Sequence, residues 1–183
     1  MKKIIILASG SGTNTKNIIE YFKNIPSIEI SMVISNKRNA GVFEKVEKYK
    51  IPTLYINKES YKKNHLLVLL ENIKPDLIIL AGFLLKIPIS IINSFKKKII
   101  NIHPSLLPKF KGLNTFEKVL KNNERKTGCT VHYVDEKIDN GKIILQKSFF
   151  INKDDNIKIL KNKTQRLEYL AFSEAIIKIY RYS

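Results

Sequence analysis

The sequence is poor in the residues and runs that mark secreted, fibrous or membrane proteins. One cysteine, Cys129, allows no disulfide within the chain, which fits a reducing cytoplasm. Seven glycines and six prolines among 183 residues exclude a collagen-like or low-complexity chain. Apolar runs such as LIIL at 77–80 are far shorter than the roughly 20 residues that cross a membrane. We therefore expect a cytoplasmic globular protein.

Acidic residues are also scarce, since 33 lysines and arginines face 16 aspartates and glutamates, for a net charge of +17. Such an excess is typical of nucleic-acid binders. Here it is spread along the chain, is mostly lysine, and is not interleaved with aromatic residues. It favours an anionic small molecule over a nucleic acid as the partner.

Short β-rich runs alternate with helical patterns, which indicates an α/β fold with right-handed crossovers and a parallel sheet. From residue 105 onward the pattern changes to a short helix, two strands joined by a turn at 139–141 in which Gly141 supplies a positive φ, and a long helix. We predict one domain over 1–183. The predicted strands are 3–8, 28–34, 53–56, 76–81 and 99–102, and the predicted helices are 14–23, 41–49, 60–73, 88–96, 116–121 and 156–180.

The segment SGSGTN at 9–14, here called the phosphate loop, links the first predicted strand to the first helix. Gly10 and Gly12 permit a tight turn, and Thr13, Asn14 and Thr15 are residue types that cap helices. Free N–H groups at such a helix start form an anion site. Because the second strand ends without an acidic residue, the loop suits one phosphate better than a dinucleotide.

Polar side chains end the strand at 99–102, where Asn101 and His103 are two residues apart and face one side. An amide and an imidazole can together hold a carbonyl oxygen as it gains negative charge. If the turn carrying Asp139 folds over them, its carboxylate would orient His103 and favour the imidazolium. His65 is expected to be solvated, and His132 is interpreted as structural, with a place in the cleft as the alternative.

Four blocks, SGSGTN, DLIILAGF, NIHPSLLPKFKG and DNGKIILQ, occur in an order and spacing that resembles the phosphoribosylglycinamide formyltransferases. The similarity runs from residue 1 to about residue 175. It implies a Rossmann-like formyltransferase fold, a single doubly wound and mostly parallel sheet with helices on both faces and antiparallel additions. It also implies formyl transfer from 10-formyltetrahydrofolate to the amine of glycinamide ribonucleotide in purine biosynthesis, without a metal.

The resemblance also implies roles for individual residues. Asn101 and a His103 kept protonated by Asp139 would stabilise the oxyanion, and His103 would supply a proton to the leaving folate nitrogen. The N-terminal half would bind the phosphorylated substrate, and the C-terminal half would bind folate and catalyse. The implied substrate residues are Gly12, Thr13, Asn14, Gln165 and Glu168, and the implied folate residues are Lys58, Leu84, Leu85, Lys86, Ile87 and Asn101.

Three alternatives stay open. A methionyl-tRNA formyltransferase usually has a further nucleic-acid-binding domain, for which 183 residues leave no room. A formyltetrahydrofolate hydrolase usually has a regulatory domain before the catalytic one, whereas the first strand here is predicted to begin at residue 3. A non-catalytic basic module that binds nucleotides or RNA leaves the Asn-x-His edge unexplained. We expect two small-molecule substrates, no nucleic acid, no membrane, and a monomer or homodimer.

Overall fold

Strands and helices alternate along the first part of the chain in the computed structural model, which describes residues 1–181. The strands there are β1 (Lys2–Leu7), β2 (Ile28–Ser35), β3 (Thr53–Tyr55), β4 (Leu77–Leu80) and β5 (Ile99–His103). The helices are α1 (Thr13–Phe22), α2 (Gly41–Glu47), α3 (Lys58–Lys62), α4 (His65–Ile73) and α5 (Ile89–Ser94). Then follow α6 (Thr115–Lys121), β6 (Lys126–Tyr133), β7 (Ile143–Phe150) and α7 (Ile157–Arg181).

The seven strands are hydrogen-bonded in the order β3-β2-β1-β4-β5-β6-β7. β1 pairs in parallel with β2 and β4, and β2 pairs in parallel with β3. β6 and β7 form an antiparallel hairpin. The predicted α/β fold, a mostly parallel sheet with an antiparallel addition, is confirmed.

The chain divides into two compact units, Met1–Ile100 and a second that begins at Asn101. In the first unit, strands β1 and β4 are buried apolar runs, as expected of parallel strands that are covered on both faces. In the second, Cys129 and Val131 of β6 and Phe172 of α7 are fully buried. The single domain over 1–183 stays a prediction. None of the helices within residues 1–181 is long and apolar enough to cross a membrane.

One predicted helix is divided in the structure. The segment 60–73 lies in two helices, α3 and α4, because Asn64 adopts a left-handed backbone conformation with φ 61°. A right-handed helix cannot continue through such a residue, and asparagine adopts this conformation more readily than most residues. The other predicted elements are present, with ends that differ by at most two residues.

Candidate active site

Strand β5 presents two polar side chains of the predicted site. Asn101 is half-buried and His103 is only 5% exposed, while Ile102 between them is buried in the apolar core. The Nδ1 atom of His103 lies 3.1 Å from Oδ2 of Asp139. The predicted meeting of the imidazole and the carboxylate is therefore present in the second unit.

The turn between β6 and β7 carries Asp139 to this position. Asp139 itself has a positive φ of 50°, and the backbone N–H of Gly112 donates to its Oδ2 at 2.8 Å. The prediction that Gly141 supplies the positive φ is wrong. Gly141 is needed for another reason, because a Cβ there would overlap the carbonyl oxygen of Tyr133. The turn can thus close tightly against the end of β6.

His132 of β6 is a fourth member of the cluster. Its Nδ1 lies 2.8 Å from the carbonyl oxygen of Tyr133, which can only accept, so Nδ1 donates to it. Its Nε2 lies 3.3 Å from Nδ2 of Asn101 and 3.5 Å from Oδ1 of Asp139, so it can accept from the amide when it carries no proton and donate to the carboxylate when it does. An interpretation of His132 as purely structural does not account for these contacts. His65, by contrast, is exposed as predicted.

The second ring nitrogen of His103 is hydrogen-bonded to a backbone carbonyl group. Nε2 lies 2.8 Å from the carbonyl oxygen of Phe110, a loop residue with a positive φ of 57°. An ionised carboxylate and a carbonyl oxygen both accept only, so the two neighbours of the ring together favour the imidazolium. The loop and the Asp139 turn thus hold the ring from both sides.

Burial opposes these neighbours and lowers the pKa of His103 below its ordinary value. The Phe110 carbonyl and the Asp139 carboxylate raise the pKa, whereas the charges of His132 and Lys118 lower it further. Asp139 thus acts in the predicted direction against a larger effect of burial, and the expectation that it keeps His103 protonated stays a prediction. Burial also raises the pKa of Asp139, but hydrogen bonds from His132 and Gly112 outweigh it, and the net shift is downward. Burial and the two acceptors thus act on the His103 ring in opposite directions, beside a carboxylate whose pKa is lowered.

The phosphate loop lies in the first unit and enters α1 at Gly12. Gly12 is the N-cap of α1, with φ 76°, and a Cβ there would lie 2.5 Å from the Cα of Val42. Thr13 and Asn14 are the first two helical residues, and the N-cap makes no side-chain hydrogen bond. The close approach to Val42 explains why glycine is required at this helix start.

The implied folate residues also lie in the first unit, apart from Asn101. Residues 84–87, here called the folate segment, follow β4; Leu84 is 66% exposed and Ile87 is buried. Lys58 is the first residue of α3 and is exposed. In the second unit, the implied substrate residues Gln165 and Glu168 are half-buried on α7.

Sequence comparisons assign the chain to a family. Residues 2–176 match the formyl transferase family. The phosphoribosylglycinamide formyltransferase of Haemophilus influenzae is 36% identical over 92% of this chain and 82% of that protein. The trifunctional purine biosynthetic protein adenosine-3 of Bos taurus is 36% identical over 95% of this chain, but the chain spans only 18% of that protein.

Solved structures agree with this assignment. The crystal structure of phosphoribosylglycinamide formyltransferase from Anaplasma phagocytophilum has a TM-score of 0.90 and 34% identity, over 96% of this chain and 85% of that chain. The corresponding protein from Bacillus halodurans has a TM-score of 0.90 and 34% identity, over 97% and 95%. The chain belongs to the formyl transferase family.

Proposed function

We propose that the protein transfers the formyl group of 10-formyltetrahydrofolate to the amine of glycinamide ribonucleotide, a step of de novo purine biosynthesis. The observation that carries the proposal is the cluster of Asn101, His103 and Asp139, held within hydrogen-bonding reach of one another or of His132. Relatives named phosphoribosylglycinamide formyltransferase support it at 34–36% identity.

Asn101 stabilises the charge that forms during the reaction. The amine nitrogen of the substrate attacks the formyl carbon, a carbon–nitrogen bond forms, and the formyl oxygen becomes an oxyanion. The Asn101 amide donates an N–H bond to that oxygen. Its Nδ2 lies 3.3 Å from Nε2 of His132, a contact that holds the amide in place. A single donor of this kind typically contributes on the order of 10²–10³ in rate.

His103 carries the proton that must move between the two nitrogens. A neutral imidazole accepts the proton that the attacking amine loses, and the resulting imidazolium gives it to the folate nitrogen as the old carbon–nitrogen bond breaks. The lowered pKa of His103 suits it to start as the base. The carboxylate of Asp139, 3.1 Å from Nδ1, stabilises the imidazolium in between.

The contact between His103 and Phe110 sets a condition for this role. Nε2 of His103 bonds to the Phe110 carbonyl oxygen, while Nδ1 faces Asp139. Substrate must therefore replace the Phe110 carbonyl at Nε2 before a proton can move. The loop backbone at Phe110 has to shift when substrate binds.

Substrate binding is assigned to the remaining residues. The backbone N–H groups at the start of α1 suit the substrate phosphate, because a helix N-terminus favours anions and Gly12 leaves no side chain in the way. The folate segment presents the exposed Leu84 beside the buried Ile87, which suits an aromatic ring. The proposed assignments are Gly12, Thr13, Asn14, Gln165 and Glu168 for the ribonucleotide, and Lys58, Leu84, Leu85, Lys86, Ile87 and Asn101 for folate.

The proposed partners are these two small molecules and no nucleic acid, with the protein acting in the cytoplasm as a monomer or homodimer. The single cysteine, Cys129, is buried and forms no disulfide within the described residues, which suits a reducing compartment. The lysine excess raises the local concentration of both anionic substrates.

A direct assay tests the proposal. The purified protein is supplied with 10-formyltetrahydrofolate and one of three acceptors: glycinamide ribonucleotide, charged initiator tRNA, or water alone. We expect formylation of the ribonucleotide, little reaction with the tRNA, and slow hydrolysis. Preferential formylation of the tRNA, or folate release at the same rate with and without ribonucleotide, would overturn the proposal in favour of one of the related enzymes.

A further inference from the structure

Ser9 is enclosed by protein at the start of the phosphate loop, with an exposed fraction of 1%. Its hydroxyl oxygen lies 2.5 Å from Oδ1 of Asn36 and 2.9 Å from the backbone nitrogen of Leu84. An amide oxygen only accepts and a backbone N–H only donates, so the hydroxyl donates to Asn36 and accepts from Leu84. One small side chain thus bonds two segments that lie far apart in sequence.

The backbone of Ser9 adds a second bond to the turn before the folate segment. Its N–H donates to the carbonyl oxygen of Gly82 at 3.1 Å. Gly82 has a positive φ of 72°, so the chain turns sharply there, two residues before Leu84. Ser9 therefore holds this turn at both ends, once through its backbone and once through its hydroxyl.

A second hydroxyl holds the other part of the folate segment. The Tyr61 hydroxyl of α3 donates to the carbonyl oxygen of Lys86 at 2.8 Å, and the Tyr61 ring lies 6.2 Å from the ring of Phe83. Burial raises the pKa of Tyr61, so its hydroxyl stays protonated and remains a donor. Tyr61 differs from Ser9 in one respect, because neither of these two Tyr61 contacts involves a residue of the phosphate loop.

Ser9 also reaches the elements that pack on the phosphate loop. Asn36 follows β2 and leads towards α2, whose Val42 N–H donates to the carbonyl oxygen of Gly10 at 3.2 Å. Lys45 of α2 donates to the carbonyl oxygen of Ser11 at 2.8 Å. The Ser9 hydroxyl therefore joins the support of the phosphate loop to the support of the folate segment.

We propose that Ser9 is a positioning residue that fixes the phosphate loop and the folate segment at the spacing that the reaction needs. This inference rests on the proposed function, because it gives each segment one of the two substrates. Alignment of two reactants accounts for a large part of the rate of a two-substrate reaction. A buried hydroxyl with both hydrogen bonds made is a rigid means of setting that alignment.

Kinetics of Ser9→Ala test the proposal. The change leaves the Leu84 N–H without its acceptor and Asn36 Oδ1 without its donor, so both segments relax. We expect apparent KM values for both the ribonucleotide and the formyl folate to rise on the order of 10-fold because both segments relax, and kcat to fall by a similar factor because the bound substrates lose their alignment. KM values within twofold of the parent for both substrates would overturn the proposal.

Matched variants separate positioning from general damage. Tyr61→Phe removes the other anchor and is expected to raise KM for the folate alone. Ser173→Ala removes a buried serine hydroxyl of α7, 4% exposed and bonded to the Tyr169 carbonyl oxygen, and is expected to leave both KM values unchanged. If Ser9→Ala does not fold, Asn36→Ala replaces it and should raise KM for the ribonucleotide. An Asn36→Ala protein with parental KM values would overturn the proposed positioning role of Ser9.

Amide hydrogen exchange tests, without catalytic turnover, whether Ser9 links the phosphate loop to the folate segment. Faster exchange in Ser9→Ala for peptides that cover 9–14 and 82–87 supports it, and parental exchange in the folate segment overturns it. If the parent protein transfers no formyl group while both peptides exchange faster in the variant, the proposed function fails and the structural link stands. If the parent is active and the exchange is unchanged, the link fails alone.

Discussion

Nδ1 of His103 lies 3.1 Å from Oδ2 of Asp139, and both side chains are less than 10% exposed. Because water is largely excluded from the pair, a charge on the ring or on the carboxylate acts strongly on the other group. The Gly112 N–H and His132 stabilise the carboxylate from its other sides, which keeps the pKa of Asp139 low. A permanent anion thus faces an imidazole whose proton can come and go.

The pH dependence of Asp139→Asn tests this pairing. Removing the carboxylate takes away an interaction that raises the pKa of His103, so that pKa falls further. Since neutral His103 is the base, the acid limb of the kcat profile should move to lower pH, and kcat should drop on the order of 10²-fold because the imidazolium loses its partner. An acid limb at the parental position would remove the proposed role of Asp139.

Stability should depend on pH through the same carboxylate. Because the pKa of Asp139 is lower in the folded than in the unfolded chain, the ionised form stabilises the fold above the unfolded pKa. This contribution is lost as pH falls through the folded value. Denaturant unfolding should therefore show that the free-energy difference between the parent and Asp139→Asn is largest near neutral pH and shrinks below pH 4. A constant difference across this range would contradict the assigned ionisation.

His132→Ala tests the fourth member of the cluster. The variant loses the ring nitrogen that contacts both Asn101 and Asp139, so we expect kcat to fall on the order of 10-fold with little change in either KM. His65→Ala, on an exposed helix position, is the control and should match the parent. Equal kcat values for His132→Ala and His65→Ala would show that His132 has a structural role only.

Two glycines of the phosphate loop provide a matched pair. Gly12→Ala places a Cβ 2.5 Å from the Cα of Val42 and strains a positive φ, whereas a Cβ at Gly10 meets nothing within 4 Å. Gly12→Ala should raise KM for the ribonucleotide on the order of 10-fold or more and destabilise the fold by about 1–2 kcal/mol. Gly10→Ala should change the free energy of unfolding far less. Similar unfolding midpoints for the two variants would contradict the close approach of Val42.

The fold follows largely from local pattern. The run LIIL predicts β4 within two residues, because a strand that is buried on both faces is continuously apolar. The apolar stripe of α7 predicts its helix equally well, because burial of one helix face leaves apolar residues at helical spacing. The left-handed residues were harder to predict. Asn64 divides a helix and Asp139, not Gly141, takes the positive φ, since several residue types tolerate that conformation and tertiary contacts decide among them.

The site was predicted in part. The trio of Asn101, His103 and Asp139 could be predicted from the Asn-x-His pattern at the end of a strand and from the family resemblance. The pKa shifts within the trio could not. The balance that lowers the pKa of His103 depends on burial, and its Nε2 partner is a backbone carbonyl of Phe110, which has no sequence signal. His132 lies beside Asn101 because β6 is next to β5 in the sheet, an order that the local sequence does not show. A histidine on the strand before the Asp139 turn was the available clue.

The rate of formyl transfer by Asn101→Ala and His103→Ala, measured at saturating 10-formyltetrahydrofolate and glycinamide ribonucleotide, shows whether these two side chains take part in the reaction. We expect folded proteins whose kcat is lower by on the order of 10²–10³ in each case. A parental kcat in either folded variant would contradict the proposed role of that side chain.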